Sequence, residues 1–212
     1  GHVGGALVRE LVENGYSVRA SVRDPDAAVK TEALKKLQVE VVKADLFDPA
    51  SLDAACAGMD GVFQVAAIYD LTPKDRAQAR TMIDTGTEGM ANVLNAAKKA
   101  AAGRVVLTSS VVTIAPVAPN QPPASEDSWV SDTSVTYIEE KTAGEKQAWE
   151  LASELGLDMV SVLPGGIIGP GFNRSTPSTD FVEAFAKGSL RIGAPDISFP
   201  FVDIRDVALV HR

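Results

Sequence analysis

The residues best suited to chemistry in this chain lie in the stretch Thr136–Glu145, where Tyr137 is followed four residues later by Lys141. We predict that this stretch opens a helix, because one helical turn would place both side chains on the same side. A phenol with a pKa of about 10 exchanges protons poorly at neutral pH, whereas a fixed ammonium beside it stabilises the phenolate. The spacing therefore indicates a general acid, Tyr137, whose pKa is lowered by Lys141.

This spacing alone is weak evidence, since three tyrosines and ten lysines would produce it by chance in about one such chain in seven. A pair of serines strengthens it. The apolar run 104–108 predicts a buried strand that ends at Ser109 and Ser110. A serine at the end of a strand can donate a hydrogen bond to a substrate carbonyl oxygen. The alternative is a turn hydroxyl that satisfies the backbone, and we favour a functional role for one of the two serines.

Composition limits the kinds of site that the chain can carry. With 212 residues, 45% of them apolar, it can bury a substantial core in one domain. The single Cys56 excludes an intrachain disulfide framework, and with His2 and His211 it makes no common zinc pattern, so we expect no metal. A net charge of −8 argues against nucleic-acid binding, which depends on cationic contacts to phosphate. The sequence has neither a membrane-spanning apolar run nor a visible signal peptide, which favours a cytoplasmic location.

The start of the chain reads as a glycine turn that enters a helix ending at Gly15. Gly1 and Gly4 are spaced like the last two glycines of a dinucleotide fingerprint, in which missing side chains let a pyrophosphate approach the helix N-terminus. An ordinary tight turn is the other interpretation. The helix begins with no strand before it, and we interpret the sequence as a fragment.

The next predicted strand, residues 17–22, ends at Arg23, about 19 residues after Gly4. Near this offset an acidic residue would bind the ribose 2′-hydroxyl of NAD, whereas an arginine accommodates the 2′-phosphate of NADP. Arg23 therefore favours NADP(H), with NAD(H) possible, and Lys30 could supply a second cation. The alternatives are a solvated turn at Arg23 and a surface helix residue at Lys30.

Two further predicted strands also end in residues suited to a ligand. Residues 39–46 run out at Asp45, whose carboxylate could accept the adenine amino group, unless Asp45 or Asp48 caps the next helix. Residues 61–67 end in Ala66-Ala67, which leaves room for a flat ligand.

The last well-marked strand, residues 157–163, is followed by the glycine- and proline-rich run 164–171. Such a run places bare backbone near a ligand, or is a loop without one. Strands and helices alternate throughout, which predicts an α/β fold with a doubly wound parallel sheet. In such sheets ligands bind outside the carboxyl ends of the strands, where the candidate residues lie.

Helical periodicity predicts how the site is supported. A single long helix is expected over 82–102, and the longest loop over 115–132. Gly144, inside the Tyr137 helix, suggests close approach by another element, since glycine there is about 1 kcal/mol less favourable than alanine. Residues predicted to face the core are Met90, Val93, Leu94 and Ala97 on the long helix, and Ile138, Trp149, Ala152 and Leu155 on the Tyr137 helix.

Taken together, these stretches resemble the extended short-chain dehydrogenase/reductase family of the NAD-dependent epimerase/dehydratase superfamily, and most of all its dihydroflavonol reductase-like branch. The resemblance spans the whole chain, and Tyr-x-x-x-Lys after a strand-end serine is its most specific element. The matching stretches are GHVGGALV, ASVRDP, ADLFD, VFQVAA, VVLTSS, YIEEKTAGEKQAW, VLPGGIIGPG and FVDIRDVALVH.

The resemblance implies a Rossmann domain over 1–212 that lacks its first strand and most of its small C-terminal substrate lobe, with 172–200 contributing to substrate binding. It implies a catalytic set of Ser110, Tyr137 and Lys141. The NADPH-binding residues it implies are Gly1, Val3, Gly4, Arg23, Lys30, Asp45, Leu46, Val65, Ala66, Ala67, Tyr137, Lys141, Pro164, Gly165, Gly166 and Ile167.

The expected function is NADPH-dependent reduction of an aldehyde or ketone by a monomer or homodimer. A nucleotide-sugar epimerase or dehydratase with bound NAD is one alternative, and an NADP-binding redox sensor without catalysis is another. Two positions depart from the family pattern. Gly86 stands where many relatives have an asparagine, and Ala115 stands where plant flavonoid reductases carry a substrate-contacting asparagine, which argues against a plant flavonoid substrate.

Overall fold

Short parallel strands form the framework of the computed structural model, which describes residues 1–118, 120–172, 174–189, 191, 193 and 198–212, without the side chains of 28–30. Every strand pairing among these residues is parallel. The strands are β1 (Arg19–Val22), β2 (Glu40–Lys43), β3 (Gly61–Gln64), β4 (Arg104–Thr108), β5 (Met159–Val162), β6 (Gly166–Ile168) and β7 (Phe201–Asp203).

Helices follow the strands, and their ends are explained by local sequence. Asp48 accepts a hydrogen bond from the Ser51 amide at 3.3 Å and so caps α3, whose first residue is Pro49. Gly156 ends α6 in the left-handed region, at φ 63°. The helices are α1 (His2–Glu13), α2 (Ala28–Lys36), α3 (Pro49–Cys56), α4 (Arg76–Gly86), α5 (Glu88–Lys99), α6 (Thr136–Leu155), α7 (Pro177–Ala186) and α8 (Ile204–His211).

The strands form three hydrogen-bonded groups. β1 pairs with β2, β4 lies between β3 and β5, and β6 pairs with β7. A doubly wound sheet has another strand between the positions of β1 and β3. No strand of the described chain lies there. The parallel α/β framework that the sequence predicts is present, with a gap between β1 and β3, and with β6 and β7 paired apart from the central strands.

The main core lies between the central strands and the helices α5 and α6. The predicted stripe on α5 is confirmed, because Met90, Val93, Leu94 and Ala97 are all buried. Met90, Leu94 and Ala97 pack with Ala102, Val105, Leu107, Ala148, Ala152 and Met159. Val93 belongs to a second cluster on the α3 side, with Ala44, Leu52, Cys56 and Ala96. This packing holds α6, which carries Tyr137, against α4 and α5. Ser109, directly after β4, is hydrogen-bonded to Glu145 of α6.

The predicted long helix over 82–102 is wrong in one respect. The chain leaves helical geometry at Thr87, with ψ −77°, so that α4 ends at Gly86 and α5 begins at Glu88. Periodicity does not reveal the break, because the apolar spacing continues across it. The break allows α4 and α5 to pack separately against α6.

Long-range contacts decide two further features of the fold. The glycine- and proline-rich run 164–171 contains β6, since pairing with β7 overrides its glycine content. Trp149 was predicted to face the core but is 42% exposed. The buried face of α6 is instead largely polar or small: Glu140, Lys141, Thr142, Gly144, Glu145, Ala148 and Ala152.

A buried histidine links α8 to the end of β4. His211 is 2% exposed. Its Nδ1 lies 2.7 Å from the Val207 carbonyl oxygen, which can only accept, so Nδ1 carries the proton. Its Nε2, 2.8 Å from the Thr108 hydroxyl, therefore accepts from that group. Burial lowers the pKa of His211 below its ordinary 6.5.

This arrangement predicts a loss of stability in mild acid. Above pH 6.5 His211 is neutral in both the folded and the unfolded chain. As the pH falls further, the unfolded chain takes up a proton that the folded chain resists, so the free energy of unfolding decreases. Urea unfolding between about pH 7.5 and pH 5 should show a smaller pH dependence for His211→Gln than for the wild type. His2, whose pKa is also lowered, is present in both proteins. Equal pH dependences would contradict the assignment.

Candidate active site

The ends of β3 and β4 meet α4 and α6 around a small cavity of about 10 Å³ at the carboxyl edge of the central strands. Its lining includes Ala66, Ser109 and Lys141, and two buried carboxylates, Glu140 and Glu145. The parallel pairing of β3 with β4 brings their carboxyl ends to one edge, as the sequence predicts. The buried charges at this edge mark it as a candidate catalytic centre.

The two strand-end serines have different surroundings. The Ser109 hydroxyl donates a 2.5 Å hydrogen bond to the Glu145 carboxylate, and both groups are buried. Ser110 instead faces the Tyr137 phenol closely enough to favour its phenolate form. Its oxygen also accepts a long hydrogen bond, 3.4 Å, from the Val112 amide. Ser110 is thus the serine beside Tyr137, whereas the Ser109 hydroxyl is bound to Glu145 inside the protein.

Tyr137 lies in the first turn of α6, as predicted, but the pKa of its phenol is raised rather than lowered. Burial is the largest cause, because it disfavours the phenolate, and contact with Ser110 only partly offsets it. Charge on Glu140 and Tyr69 raises the pKa further. The predicted net lowering of the pKa of Tyr137 is therefore wrong for this structure. Tyr137 is protonated at neutral pH, which is the form a proton donor needs.

The predicted proximity of Lys141 to Tyr137 is confirmed. The Lys141 Nζ atom lies 5.9 Å from the centre of the tyrosine ring. The lysine is only 9% exposed, and its Nζ is closer to a carboxylate, 3.7 Å from Oε1 of Glu140. The Lys141 ammonium thus has a buried carboxylate, Glu140, as its partner in an ion pair.

The crossing of α4 and α6 fixes the position of this group. A β-carbon added at Gly144 would overlap the Gly86 carbonyl oxygen, so the two backbones touch. The predicted close approach at Gly144 is confirmed. Because the helices cross here, the residues before Gly144 on α6 are held against the end of α4.

The first turn of α1 is open to a ligand. A β-carbon at Gly1 or Gly4 would meet no atom within 4 Å, so protein packing does not require glycine at either position. Val3 lies in the same turn. Free amide groups at a helix N-terminus suit an anion, and these residues fit the pyrophosphate of a dinucleotide. The predicted use of Gly1, Val3 and Gly4 in pyrophosphate binding stays a prediction.

The ends of β1 and β2 lie side by side, since the Ala44 amide donates to the Val22 carbonyl oxygen at 2.9 Å. Arg23 follows directly and is exposed. Asp45 uses one carboxylate oxygen to accept from the Phe47 amide at 3.0 Å, and does not cap α3. An exposed cation and a fixed carboxylate are therefore neighbours at this edge, as a site for an adenosine phosphate requires.

Of two further residues predicted to bind the cofactor, Leu46 and Lys30, only Leu46 has a described side chain. The Leu46 side chain packs against α5 at Gly89, and its carbonyl oxygen accepts from the Asn92 amide group at 2.9 Å. Leu46 thus serves packing in this structure. Lys30 lies outside the described side chains, so its predicted contact with a 2′-phosphate stays a prediction.

Two predicted glycines next to the last strands have a structural explanation. A β-carbon at Gly165 would overlap the Pro200 carbonyl oxygen, and one at Gly166 would lie 2.8 Å from the Phe201 ring. The pairing of β6 with β7 therefore requires small residues here, whether or not a ligand is near. The other residues predicted for this part of the dinucleotide site, which stay predictions, are Val65, Ala66, Ala67, Pro164 and Ile167.

Sequence reasoning missed the polar groups that surround the catalytic set. Glu140 and Glu145 were not singled out, although each lies within four residues of Lys141 on the same helix. Tyr69 was also missed: its ring centre lies 5.0 Å from that of Tyr137, and its hydroxyl is 3.3 Å from the Ser178 hydroxyl on α7. The spacing of four residues from Lys141 was an available signal for Glu145. Helical spacing did not point to Glu140, and no local signal pointed to Tyr69.

The fold and site agree with a comparison across known families. The family described as NAD dependent epimerase/dehydratase matches residues 1–212. The chain belongs to this family. It is an extended short-chain dehydrogenase/reductase family, and dihydroflavonol 4-reductases are among the relatives of the chain.

Three relatives illustrate the similarity to other family members. Cinnamoyl-CoA reductase CAD2 of Medicago truncatula is 36% identical and is matched over 100% of this chain and 68% of its own length. Dihydroflavonol 4-reductase of Zea mays is 37% identical, with coverage of 100% and 60%. The crystal structure of gox2253 superposes with a TM-score of 0.82 at 29% identity, covering 99% of this chain and 62% of that one.

These comparisons confirm the predicted Rossmann fold. They also show that the chain spans about two thirds or less of the length of each of these family members. Among the described residues, no helix combines the length and apolar character needed to cross a membrane. No cluster of three or more histidine, cysteine or acidic side chains there is arranged to hold a metal ion.

Proposed function

We propose that the protein is an NADPH-dependent reductase that transfers hydride to the carbonyl group of a small aldehyde or ketone. The observation that supports this best is the position of the Tyr137 phenol at the start of α6, with Lys141 5.9 Å from its ring and Ser110 beside it. Relatives named as reductases of dihydroflavonols and of cinnamoyl-CoA add weight to the reductase reading.

In this proposal each residue has a separate task. The Ser110 hydroxyl donates to the substrate carbonyl oxygen and orients it. The Tyr137 hydroxyl then delivers its proton to that oxygen as negative charge develops there. Lys141 stabilises the phenolate that remains. The dinucleotide, held at the first turn of α1 and by Arg23, supplies the hydride when bound.

We further propose that the region 172–200 helps to bind substrate. Ser178 on α7 approaches the Tyr69 hydroxyl, and Tyr69 packs against Tyr137. A substrate whose carbonyl lies at Tyr137 would meet Tyr69 next. The segment after β3, which contains Tyr69, and α7 would then surround the part of the substrate beyond its carbonyl group.

Arg23 provides a test of cofactor choice. Only the 2′-phosphate distinguishes NADPH from NADH, and an exposed guanidinium at the end of β1 is placed to bind it. Arg23→Ala in the whole protein should weaken NADPH binding by about tenfold or more, because a charge-assisted hydrogen bond to the 2′-phosphate is lost. NADH has no 2′-phosphate, so its binding should be unchanged. Thermal stabilisation by each dinucleotide measures both affinities.

Arg104→Ala is the matched control, because Arg104 is also exposed but lies at the amino end of β4, paired with Asp158. It removes the same charge and should alter neither affinity. Equal weakening by the two variants would mean that Arg23 acts only through net charge, and the NADP assignment would fail.

The function itself is tested by NADPH oxidation by the whole protein against a panel of aldehydes and ketones. The proposal predicts turnover with at least one carbonyl substrate, and slower turnover with NADH. Tight retention of NAD with no net oxidation would instead favour an epimerase. Dinucleotide binding without turnover on any substrate would contradict catalysis.

A further inference from the structure

The space beside Gly86 is filled by a side chain from another helix. A β-carbon added at Gly86 would lie 2.6 Å from Oε1 of Glu140 and 2.8 Å from its Cγ. The Glu140 carboxylate thus occupies the volume that any larger residue at Gly86 would take. The close backbone contact between Gly86 and Gly144 holds the two helices at this distance.

Glu140 is an unusual group to bury. It is 2% exposed, and its Oε2 atom has no hydrogen-bond partner among the described residues. Its Oε1 atom lies 3.7 Å from the Lys141 ammonium, which is 9% exposed. A buried carboxylate is strongly unfavourable unless a cation balances it, so the two charges depend on one another.

The other groups around Glu140 are few. The helix that carries it, α6, also presents Tyr137 and Glu145, the latter hydrogen-bonded to Ser109 at the end of β4. The cavity that Glu140 lines is also lined by Thr85 and Gly86 of α4 and by Gln64 of β3. Among the described residues that line this cavity, Lys141 is the one cation.

We infer that Glu140 is a positioning residue: its carboxylate, seated in the space left by Gly86, holds the Lys141 ammonium and offsets the charge that this ammonium exerts on Tyr137. The inference rests on the proposed reductase function of the same site. Under this inference the acidity of Tyr137 depends on the charge of a buried acid, Glu140.

The directions of the pKa shifts agree with this geometry. Burial raises the pKa of Glu140, while Lys141 lowers it in part. The Glu140 charge in turn raises the pKa of Tyr137. At alkaline pH, where Glu140 is ionised, it keeps Tyr137 protonated to a higher pH than Lys141 alone would allow.

The test is the pH profile of kcat for Glu140→Gln, which keeps the shape of the side chain and removes its charge. Carbonyl reduction requires protonated Tyr137, so activity falls above the pKa of the phenol. In Glu140→Gln this alkaline fall should move to lower pH by about one unit, the effect of losing one nearby like charge. Glu139→Gln is the matched control, since Glu139 is the exposed neighbour and its profile should stay as in the wild type.

A second measurement depends neither on turnover nor on replacing Glu140. Carbon-13 NMR titration of the glutamate side chains should show Glu140 with a pKa above that of the exposed glutamates. Lys141→Met should raise it further, by about one unit or more, because the balancing cation is lost. No change in the Glu140 titration on removing Lys141 would overturn the inference.

The two measurements separate the possible failures. A wild type that turns over no carbonyl contradicts the reductase proposal, and the NMR titration then decides whether the Glu140–Lys141 coupling exists. An active wild type with identical pH profiles for Glu140→Gln and Glu139→Gln contradicts the inference and leaves the reductase function standing.

Discussion

Replacing Tyr137 by phenylalanine in the whole protein should lower kcat by about 10²–10⁴-fold, the usual contribution of a positioned general acid. The ring, and its 5.0 Å packing against Tyr69, would remain. The affinity for NADPH should stay within about twofold, because under the proposal the dinucleotide is held mainly at α1 and Arg23. A twofold change in affinity is well below the effect of losing a charged hydrogen bond. Single-turnover NADPH oxidation and dinucleotide titration measure the two quantities separately.

Tyr16→Phe is the control for Tyr137→Phe. Tyr16 follows α1 and is 53% exposed, so its hydroxyl should contribute nothing to turnover. Unchanged turnover in Tyr137→Phe would remove the phenol from the mechanism. Loss of both turnover and NADPH affinity would assign Tyr137 to binding instead.

Replacing Gly144 by alanine should lower the free energy of unfolding by about 2 kcal/mol. The new β-carbon would overlap the carbonyl oxygen of Gly86, a backbone atom that cannot move without shifting α4. Overpacking of this kind destabilises by about 1–3 kcal/mol, and overlap with a backbone atom places the cost near the upper end of this range. The better helix propensity of alanine returns about 1 kcal/mol, which leaves a net loss of about 2 kcal/mol. Urea unfolding followed by circular dichroism measures the difference.

Ser153→Ala is the matched control for Gly144→Ala, because Ser153 is an exposed residue of the same helix. It changes propensity without adding a contact and should leave stability within about 0.5 kcal/mol of the wild type. If Gly144→Ala were as stable as Ser153→Ala, the tight crossing of α4 and α6 would not exist in solution.

Local sequence was sufficient for the framework and for the central residues of the site. Alternating strand and helix patterns predicted the parallel fold, and the spacing of Tyr137 and Lys141 predicted the first turn of α6. Both depend on short-range periodicity, which a sequence records directly. The close approach at Gly144 was also predictable, since glycine inside a helix is unfavourable unless something requires it.

The electrostatics of the site could not be predicted in the same way. The pKa of Tyr137 is set by burial and by Glu140, and burial depends on how α4 crosses α6. The exposed Trp149 has the same origin, because the crossing turns the polar face of α6 inward. Such long-range packing leaves little trace in the spacing of residues along one helix.

The most direct test of the proposed hydride transfer uses NADPH carrying deuterium at the transferable position, with the whole protein and a substrate from the carbonyl panel. The product alcohol should contain one deuterium on the former carbonyl carbon, detected by mass spectrometry, with the rate of its formation falling sharply in Tyr137→Phe. An unlabelled product, or equal rates of labelled product from wild type and Tyr137→Phe, would contradict a reductase that uses Tyr137 as its acid.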